Sequence, residues 1–248
     1  MLIKILLIIT FVLLLLINNN NKEHFHNSNN MLTYIITRFS IFDYNSNSFR
    51  INENISYEKY KNKIFNTERL EYKFKSFELV TLPSVINQTN KNYLWYIYYS
   101  EYLPPNFRER LLNITKKYNQ IICKPIKSFK YFNKIILKNN KYCTIRLDDD
   151  DGLSKNFVQS LNKYKHLDKV IISHPYGLNF TIKDNKIIYG KQKTAKNIAL
   201  GLCAIGMNIY HCGNHTKVHK NYRVIYDSTQ NMYLLNCSKF TDSGRKFT

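Results

Sequence analysis

Short runs of β-branched and aromatic residues alternate along the chain with stretches in which apolar residues recur every three or four positions. The first pattern is typical of buried strands and the second of amphipathic helices. The chain therefore has predicted strands over residues 32–37, 93–99, 120–123, 142–147 and 169–173. It has predicted helices over residues 57–82, 106–118, 153–164 and 194–204. This alternation predicts an α/β fold, with a mostly parallel central sheet flanked by helices and a less regular C-terminal portion.

An apolar segment precedes this pattern at the N-terminus. Residues 1–17 contain one charged side chain, Lys4, and residues 18–30 form a polar, asparagine-rich run. A short apolar stretch of this kind predicts a signal anchor, with a cleaved signal peptide as the open alternative. An anchor would place Lys4 on the cytoplasmic side and the following domain, residues 31–248, in the lumen. We therefore expect a polar stem over residues 18–30 and a single-pass membrane or secretory-pathway location.

The composition is that of a folded chain with a strongly basic balance. The 248 residues are 44% hydrophobic and 15% aromatic, which excludes a disordered protein, and the formal net charge is +20. The basic residues are 29 Lys against 8 Arg, and 32 Asn and 20 Tyr accompany them. Codons rich in A and T produce this bias by themselves, and the lysines are scattered instead of forming a stripe. The charge therefore does not indicate a nucleic-acid partner.

Four consecutive aspartates, Asp148 to Asp151, follow the predicted strand at 142–147. Adjacent carboxylates repel one another, and parallel α/β sheets bind ligands at the carboxyl ends of their strands. A divalent cation with oxygen ligands, Mn²⁺ or Mg²⁺, would relieve the repulsion. Arg146, two residues earlier, is placed to support an aspartate or to contact a phosphate. The alternative is a solvated turn in which Asp148 caps the next helix.

Several segments in the same part of the chain carry a family resemblance. They are Thr37-Arg38-Phe39-Ser40, the run from Arg69 through Ser84 and Gln88-Thr89 to Trp95, Arg108 to Leu111, and Arg146-Leu147-Asp148-Asp149-Asp150-Asp151 with Phe157-Val158. In order and spacing these segments resemble the rhamnosyltransferase family of GT-A type nucleotide-sugar glycosyltransferases. The family's last motif reads approximately R-L-D-N-D-D-A-L, so this chain has Asp149 in place of Asn. The resemblance covers residues 33–180, continues more weakly to the end, and implies a GT-A-like, Rossmann-like domain.

This resemblance implies a reaction and a set of residue roles. The chain would be a metal-dependent, hexosyltransferase-like enzyme that moves a sugar from a nucleotide-sugar donor to a glycan, protein or lipid acceptor. The aspartate run would be a D-x-D-like motif, with Asp148 and Asp150 binding Mn²⁺ or Mg²⁺. Asp151 would be a catalytic residue, either as a second ligand or as a sugar contact. The residues implied in donor binding are Thr37, Arg38, Glu101, Arg146, Asp148 and Asp149.

The general base and a missing histidine near the C-terminus leave alternatives open for the mechanism. An inverting transferase needs a carboxylate as general base, and Asp227 and Asp242 are the candidates, of which Asp227 is our catalytic choice. The related family carries a histidine near its C-terminus in a W-L-x-x-x-H-like stretch, whereas residues 233–238 contain none. The site therefore uses another ligand or has lost activity. The alternative function is a catalytically inactive carbohydrate- or nucleic-acid-binding module.

A histidine-rich stretch near the C-terminus has the residue types of a zinc site. It contains His211, Cys212, His215 and His219. A structural zinc site needs four well-spaced ligands, and no Cys-x-x-Cys pair accompanies these residues. Because Gly213 lies among them, we interpret the stretch as a loop near the cleft.

Overall fold

The computed structural model describes residues 31–45, 55–134, 141–241 and 247. The predicted anchor, residues 1–17, the predicted stem, residues 18–30, and Asp242 lie outside these residues and stay predictions. Among the described residues, no helix is long and apolar enough to cross a bilayer.

The described elements alternate between strands and short helices. In chain order the strands are Leu32–Phe39 (β1), Tyr93–Ser100 (β2), Ile121–Ile126 (β3), Tyr142–Asp148 (β4), Gly152–Leu153 (β5), Val170–Ser173 (β6), Tyr176–Lys183 (β7), Lys186–Thr194 (β8), Cys203–Ile205 (β9), Arg223–Tyr226 (β10) and Tyr233–Asn236 (β11). The α-helices are Tyr57–Ile64 (α1), Thr67–Ser76 (α2), Leu82–Ile86 (α3), Pro105–Thr115 (α4) and Phe157–Ser160 (α5). A π-helical turn, Phe77–Thr81, joins α2 to α3. Short 3₁₀ helices span Phe129–Lys134, Leu161–Tyr164, Ile209–Cys212 and His215–Lys220.

Among the described residues, seven strands form a central sheet in the order β10-β6-β9-β4-β1-β2-β3. The pairs β1–β2, β1–β4, β2–β3 and β6–β10 are parallel, and only β9 runs against its neighbours. A smaller sheet has the order β5-β11-β7-β8. The expectation of an α/β fold with a mostly parallel central sheet is therefore confirmed.

The predicted helix over residues 194–204 is wrong. Its last residues belong to β9, an antiparallel strand inserted between β4 and β6, and Cys203 and Ala204 are fully buried there. The preceding turn contains Asn197 and Gly201 at positive φ values of 54° and 67°, a conformation that ends a helix. Burial on both faces of the sheet outweighs the local helical preference of this segment.

Aromatic packing fixes α2 and the π-helical turn against the sheet. Phe39 of β1 packs on Phe74 and Phe77, with ring centroids 4.9 and 5.5 Å apart. Trp95 of β2 lies 5.7 Å from Phe77, and its indole Nε1 donates a 2.9 Å hydrogen bond to Thr37 Oγ1. All five side chains are buried. This packing holds one face of α2 over the ends of β1 and β4.

The parallel register brings the ends of several strands to one edge, which we call the carboxyl edge. In the β1–β4 pair, Arg38 lies directly opposite Asp148. Glu101 immediately follows β2, and Asp227 immediately follows β10. The carboxyl edge therefore collects predicted site residues that are far apart in sequence.

Candidate functional site

The run Asp148–Asp151, which we call the aspartate turn, begins at the last residue of β4 and turns back toward the protein. Asp149, Asp150 and Asp151 are buried, with 2%, 5% and 5% of their surface exposed. The Asp148 side chain keeps 31% of its surface exposed. Asp148 is therefore the member of the turn that faces the cleft.

A buried lysine compensates two of the carboxylates. Lys73 Nζ, on α2, donates to Asp149 Oδ1 at 2.6 Å and to Asp150 Oδ2 at 3.3 Å. The side chains of Lys73 and Asp149 are each 3% exposed and that of Asp150 is 8% exposed. The backbone N–H of Ser40 also donates to Asp149 Oδ2, at 3.1 Å. Because charges this deeply buried interact strongly, Lys73 stabilises the ionised form of both aspartates.

Further hydrogen bonds fix the backbone of the aspartate turn. The hydroxyls of Ser76 and Thr81, at the two ends of the π-helical turn, donate to the carbonyls of Asp150 and Asp149, at 3.0 and 3.2 Å. The backbone N–H of Asn236, on β11, donates to Asp151 Oδ1 at 2.8 Å. Three separate elements therefore hold the turn in one conformation.

Two guanidinium groups flank the exposed carboxylate. Arg38 donates from an Nη to Asp148 Oδ1 at 3.0 Å, and an Arg146 Nη lies 3.5 Å from Oδ2. The Tyr210 ring lies 5.5 Å from the Arg38 guanidinium carbon and 5.9 Å from that of Arg146. The Phe129 ring lies 5.6 Å from Arg38. These aromatic contacts orient both cations beside Asp148.

The charge of Asp148 is set by these neighbours. Burial alone raises the pKa of this carboxyl, but the positive charges of Arg146 and Arg38 outweigh burial and hold the pKa well below its usual range. Asp148 is therefore ionised at neutral pH. A cationic pair bridged by one carboxylate is the kind of site that binds a phosphate group.

A narrow pocket opens beside this arrangement and is lined by three basic residues, two aspartates, two isoleucines and a serine. Its lining residues are Arg38, Ser40, Ile41, Ile64, Arg69, Lys73, Asp148 and Asp149. Ser40 has a positive φ of 44°, and its Oγ is buried without a hydrogen-bond partner among the described residues. The Nε of Arg146 is also buried and has no hydrogen-bond partner among the described residues. These groups retain hydrogen-bonding capacity for an anionic ligand.

The arrangement of the described carboxylates does not fit the expected metal site at Asp148 and Asp150. Lys73 already contacts Asp150, and both oxygens of Asp148 face guanidinium groups. No group of three or more His, Cys, Asp or Glu side chains that could hold a metal ion occurs in the part of the chain that the structure describes. A cation between Asp148 and Asp150 would lie against positive charge on both sides. We therefore derive no chemical step through a metal.

The other residues implied in donor binding lie in different environments. Thr37 is fully buried and accepts the hydrogen bond from Trp95, so it lies in the core instead of the cleft. Glu101 remains at the carboxyl edge, with 28% of its side chain exposed and Lys127 Nζ 3.9 Å away. The structure thus brings Arg38, Arg146 and the aspartate turn together and leaves Thr37 behind them.

Asp227 belongs to a second cluster on the carboxyl edge. Its Oδ2 accepts hydrogen bonds from Lys163 Nζ at 2.7 Å and Tyr164 Oη at 3.1 Å, and His174 Nε2 lies 3.3 Å away. Its Oδ1 accepts from the Thr229 hydroxyl at 2.7 Å. Burial raises the pKa of Asp227, but the neighbouring His174, Lys163 and Thr229 side chains outweigh burial, and the pKa lies well below its usual range. Asp227 thus ties the end of β10 to the residues that end and follow β6, and its role as general base stays a prediction.

The lowered pKa values of Asp148 and Asp227 predict a loss of stability in acid. In the unfolded chain an aspartate has a pKa of about 3.9, so both groups contribute their full stabilisation above about pH 5. That stabilisation is lost as the pH falls below about 4, because the unfolded chain then binds protons that the folded protein does not. Denaturant titrations between pH 3 and pH 7 check this, with an Asp227→Asn variant expected to show a shallower acid dependence. An unchanged acid profile in that variant would contradict the assignment.

The histidine-rich stretch forms no ligand cluster in the structure. His211 Nε2 lies 3.2 Å from the Phe132 carbonyl, Cys212 is buried, and His219 Nδ1 lies 3.4 Å from the Asn197 amide. The stretch that was expected to be a loop consists largely of two short 3₁₀ helices, Ile209–Cys212 and His215–Lys220.

Lys73, Tyr210 and Ser40 are site residues that the sequence analysis did not identify. Lys73 had a signal, because it lies three residues after Leu70 and four before Phe77 on the apolar side of α2. A lone charge at such a position indicates a buried partner. Tyr210 and Ser40 had none, because their positions depend on contacts between distant segments.

A family model described as "Putative rhamnosyl transferase" matches residues 33–248, which is most of the chain. No curated protein matches the sequence. The match includes the whole aspartate turn and both flanking arginines.

Two solved structures of TarS from S. aureus are similar to the fold. The first is 8% identical with a TM-score of 0.47, and the alignment covers 84% of this chain and 37% of that chain. The second, of TarS residues 1–349, is 7% identical with a TM-score of 0.46, and covers 83% of this chain and 60% of that chain. The chain therefore spans less than two thirds of either TarS structure.

Proposed function

Since the chain belongs to the rhamnosyl transferase family, we propose that it is a glycosyltransferase that moves a sugar from a nucleotide-sugar donor to an acceptor hydroxyl. The observation that carries the proposal is the pair of guanidinium groups bridged by Asp148 at the carboxyl edge. Ligands of open α/β sheets bind at this edge, and a diphosphate is an anion that two arginines recognise. The donor diphosphate would lie against Arg38 and Arg146.

In this reaction the bond between the anomeric carbon and a diphosphate oxygen breaks, and its electron pair leaves with the diphosphate. The acceptor oxygen forms the new bond to the anomeric carbon, and its proton passes to a basic group. Negative charge therefore develops on the departing diphosphate, and cations fixed beside it stabilise the transition state. Asp148 contributes by holding the two guanidinium groups in position before the donor arrives.

The acceptor and the identity of the transferred sugar are further parts of the same proposal. A glycan, a protein and a lipid all carry hydroxyl groups that this chemistry can use. Glu101, which is partly exposed on the same edge, would contact the donor beyond its diphosphate.

The proposal is tested by the release of nucleoside diphosphate from a panel of nucleotide sugars, including a rhamnosyl donor, with the full chain. We expect one or more donors to turn over, and we expect Asp148→Asn to lower the rate about 10–100-fold because the arginines lose their common partner. Asp184→Asn is the matched control, since Asp184 is exposed in the β7–β8 turn. Binding of a carbohydrate without turnover of any donor would instead support the inactive binding module.

A further inference from the structure

We infer that the donor site works without a divalent metal ion, because Lys73, Arg38 and Arg146 supply the positive charge that Mn²⁺ or Mg²⁺ would otherwise supply. This inference rests on the proposed glycosyltransferase function. It departs from the expectation that the sequence raised for Asp148 and Asp150.

The first support is the position of Lys73. Its Nζ lies between two carboxylates of the aspartate turn, 2.6 Å from Asp149 and 3.3 Å from Asp150. All three side chains are at least nine-tenths buried. A divalent cation on Asp150 would have to displace Lys73 and leave its ammonium group buried beside a second cation, which strong repulsion at low dielectric opposes.

The second support is the rigidity of the turn. The Ser76 and Thr81 hydroxyls hold its carbonyls, and Asn236 holds the Asp151 carboxylate. The backbone of the turn is therefore fixed, and the carboxylates of Asp149 and Asp150 lie against Lys73. Turning them outward into the cleft would break several buried hydrogen bonds at once.

The third support is the charge around Asp148. A metal ion can be held by a single carboxylate together with substrate phosphates, so Asp148 alone is a conceivable ligand. Here one oxygen accepts a hydrogen bond from Arg38 and the other faces Arg146, at 3.0 and 3.5 Å. A cation at this carboxylate would lie next to two guanidinium charges. Those groups are instead suited to contact the diphosphate themselves.

The fourth support is the balance of charge. Three cations, Lys73, Arg38 and Arg146, contact three of the aspartates, Asp148, Asp149 and Asp150. The repulsion among these three carboxylates is thus relieved by side chains of the protein, and the Asp151 carboxylate accepts a hydrogen bond from the Asn236 backbone N–H. A bound diphosphate would then share the guanidinium groups of Arg38 and Arg146 with Asp148.

The test is nucleoside diphosphate release by the full chain after treatment with EDTA, compared with the same protein supplied with Mn²⁺ or Mg²⁺. We expect the two rates to agree within about twofold. Turnover that EDTA abolishes and Mn²⁺ restores would overturn the inference and leave the proposed function intact. Absence of turnover under both conditions, with every donor, would contradict the proposed function itself.

A second readout does not depend on turnover. Electron paramagnetic resonance of Mn²⁺ is measured with the protein, with nucleoside diphosphate, and with both. We expect the protein to add no bound Mn²⁺ to that held by the free nucleotide. Protein-bound Mn²⁺ that disappears in an Asp148→Asn, Asp150→Asn double variant, but not in Asp184→Asn, would overturn the inference.

Discussion

Replacement of Lys73 by methionine is expected to lower the free energy of unfolding by about 3–5 kcal/mol. The substitution keeps the length of the side chain but removes the positive charge that contacts both Asp149 and Asp150. Two buried carboxylates would then face each other without a cation, and one of them would have to take up a proton. Chemical denaturation at pH 7 measures the effect directly.

A double-mutant cycle separates this ion pair from general effects of the substitution. We expect Lys73→Met combined with Asp149→Asn to be more stable than the sum of the two single changes by about 1–3 kcal/mol. Lys75→Met, on the same helix but only half-buried, is the matched control and should change stability by less than about 0.5 kcal/mol. Additive effects of the first pair would show that Lys73 and Asp149 do not interact as described.

Replacement of Arg38 by alanine is expected to lower donor turnover by about 10²–10³-fold, as the removal of one preorganised donor does at other sites of developing negative charge. The Arg38 side chain is only 10% exposed and lies beside the rings of Phe129 and Tyr210, so its guanidinium group needs little reorganisation when the diphosphate leaves. The rate of nucleoside diphosphate release with saturating donor measures this loss.

Two further variants show whether that loss arises from the site. Arg38→Lys keeps the charge but lacks the planar fork, so its rate should lie between those of the wild type and the alanine variant. Arg223→Ala removes an exposed arginine at the amino end of β10, on the opposite edge of the sheet, and should leave the rate unchanged. Equal losses in Arg38→Ala and Arg223→Ala would indicate a long-range effect of net charge and contradict the assignment.

The central strands could be predicted from sequence because they are buried on both faces. The runs in β1, β2 and β4 are continuous in β-branched and aromatic residues, and their observed bounds differ from the predicted ones by two residues or fewer. The aspartate turn could also be recognised from the sequence, because four consecutive carboxylates at the end of a buried strand are chemically unusual. Parallel pairing of β1 with β4 then placed Arg38 opposite Asp148.

The partners of the aspartates could not be predicted in the same way. Local sequence shows a concentration of negative charge, but it does not show which distant cation compensates it. Lys73 lies 76 residues before Asp149 in sequence, and the two meet because Phe74 and Phe77 fix α2 on β1. A metal ion was the simplest compensation that the sequence alone could suggest, and its presence stays a prediction that the EDTA experiment decides.

Residue type alone does not show which side chains at the end of a strand are buried in the core and which reach the site. Thr37 and Arg38 are adjacent in β1, and because side chains alternate along a strand they point to opposite faces. Thr37 therefore meets Trp95 in the core while Arg38 reaches the aspartate turn. The segment around Cys203 could not be recognised as a strand from its residue types either. It is a strand because it pairs with both β4 and β6.

The most direct measurement is a crystal structure of the full chain with a nucleotide sugar or its nucleoside diphosphate, grown without divalent metal. The donor-site assignment predicts the diphosphate at the carboxyl edge, with its oxygens within hydrogen-bond distance of the guanidinium groups of Arg38 and Arg146. A diphosphate bound away from both arginines, for example in the groove lined by Glu71, Glu78 and Arg110, would contradict it.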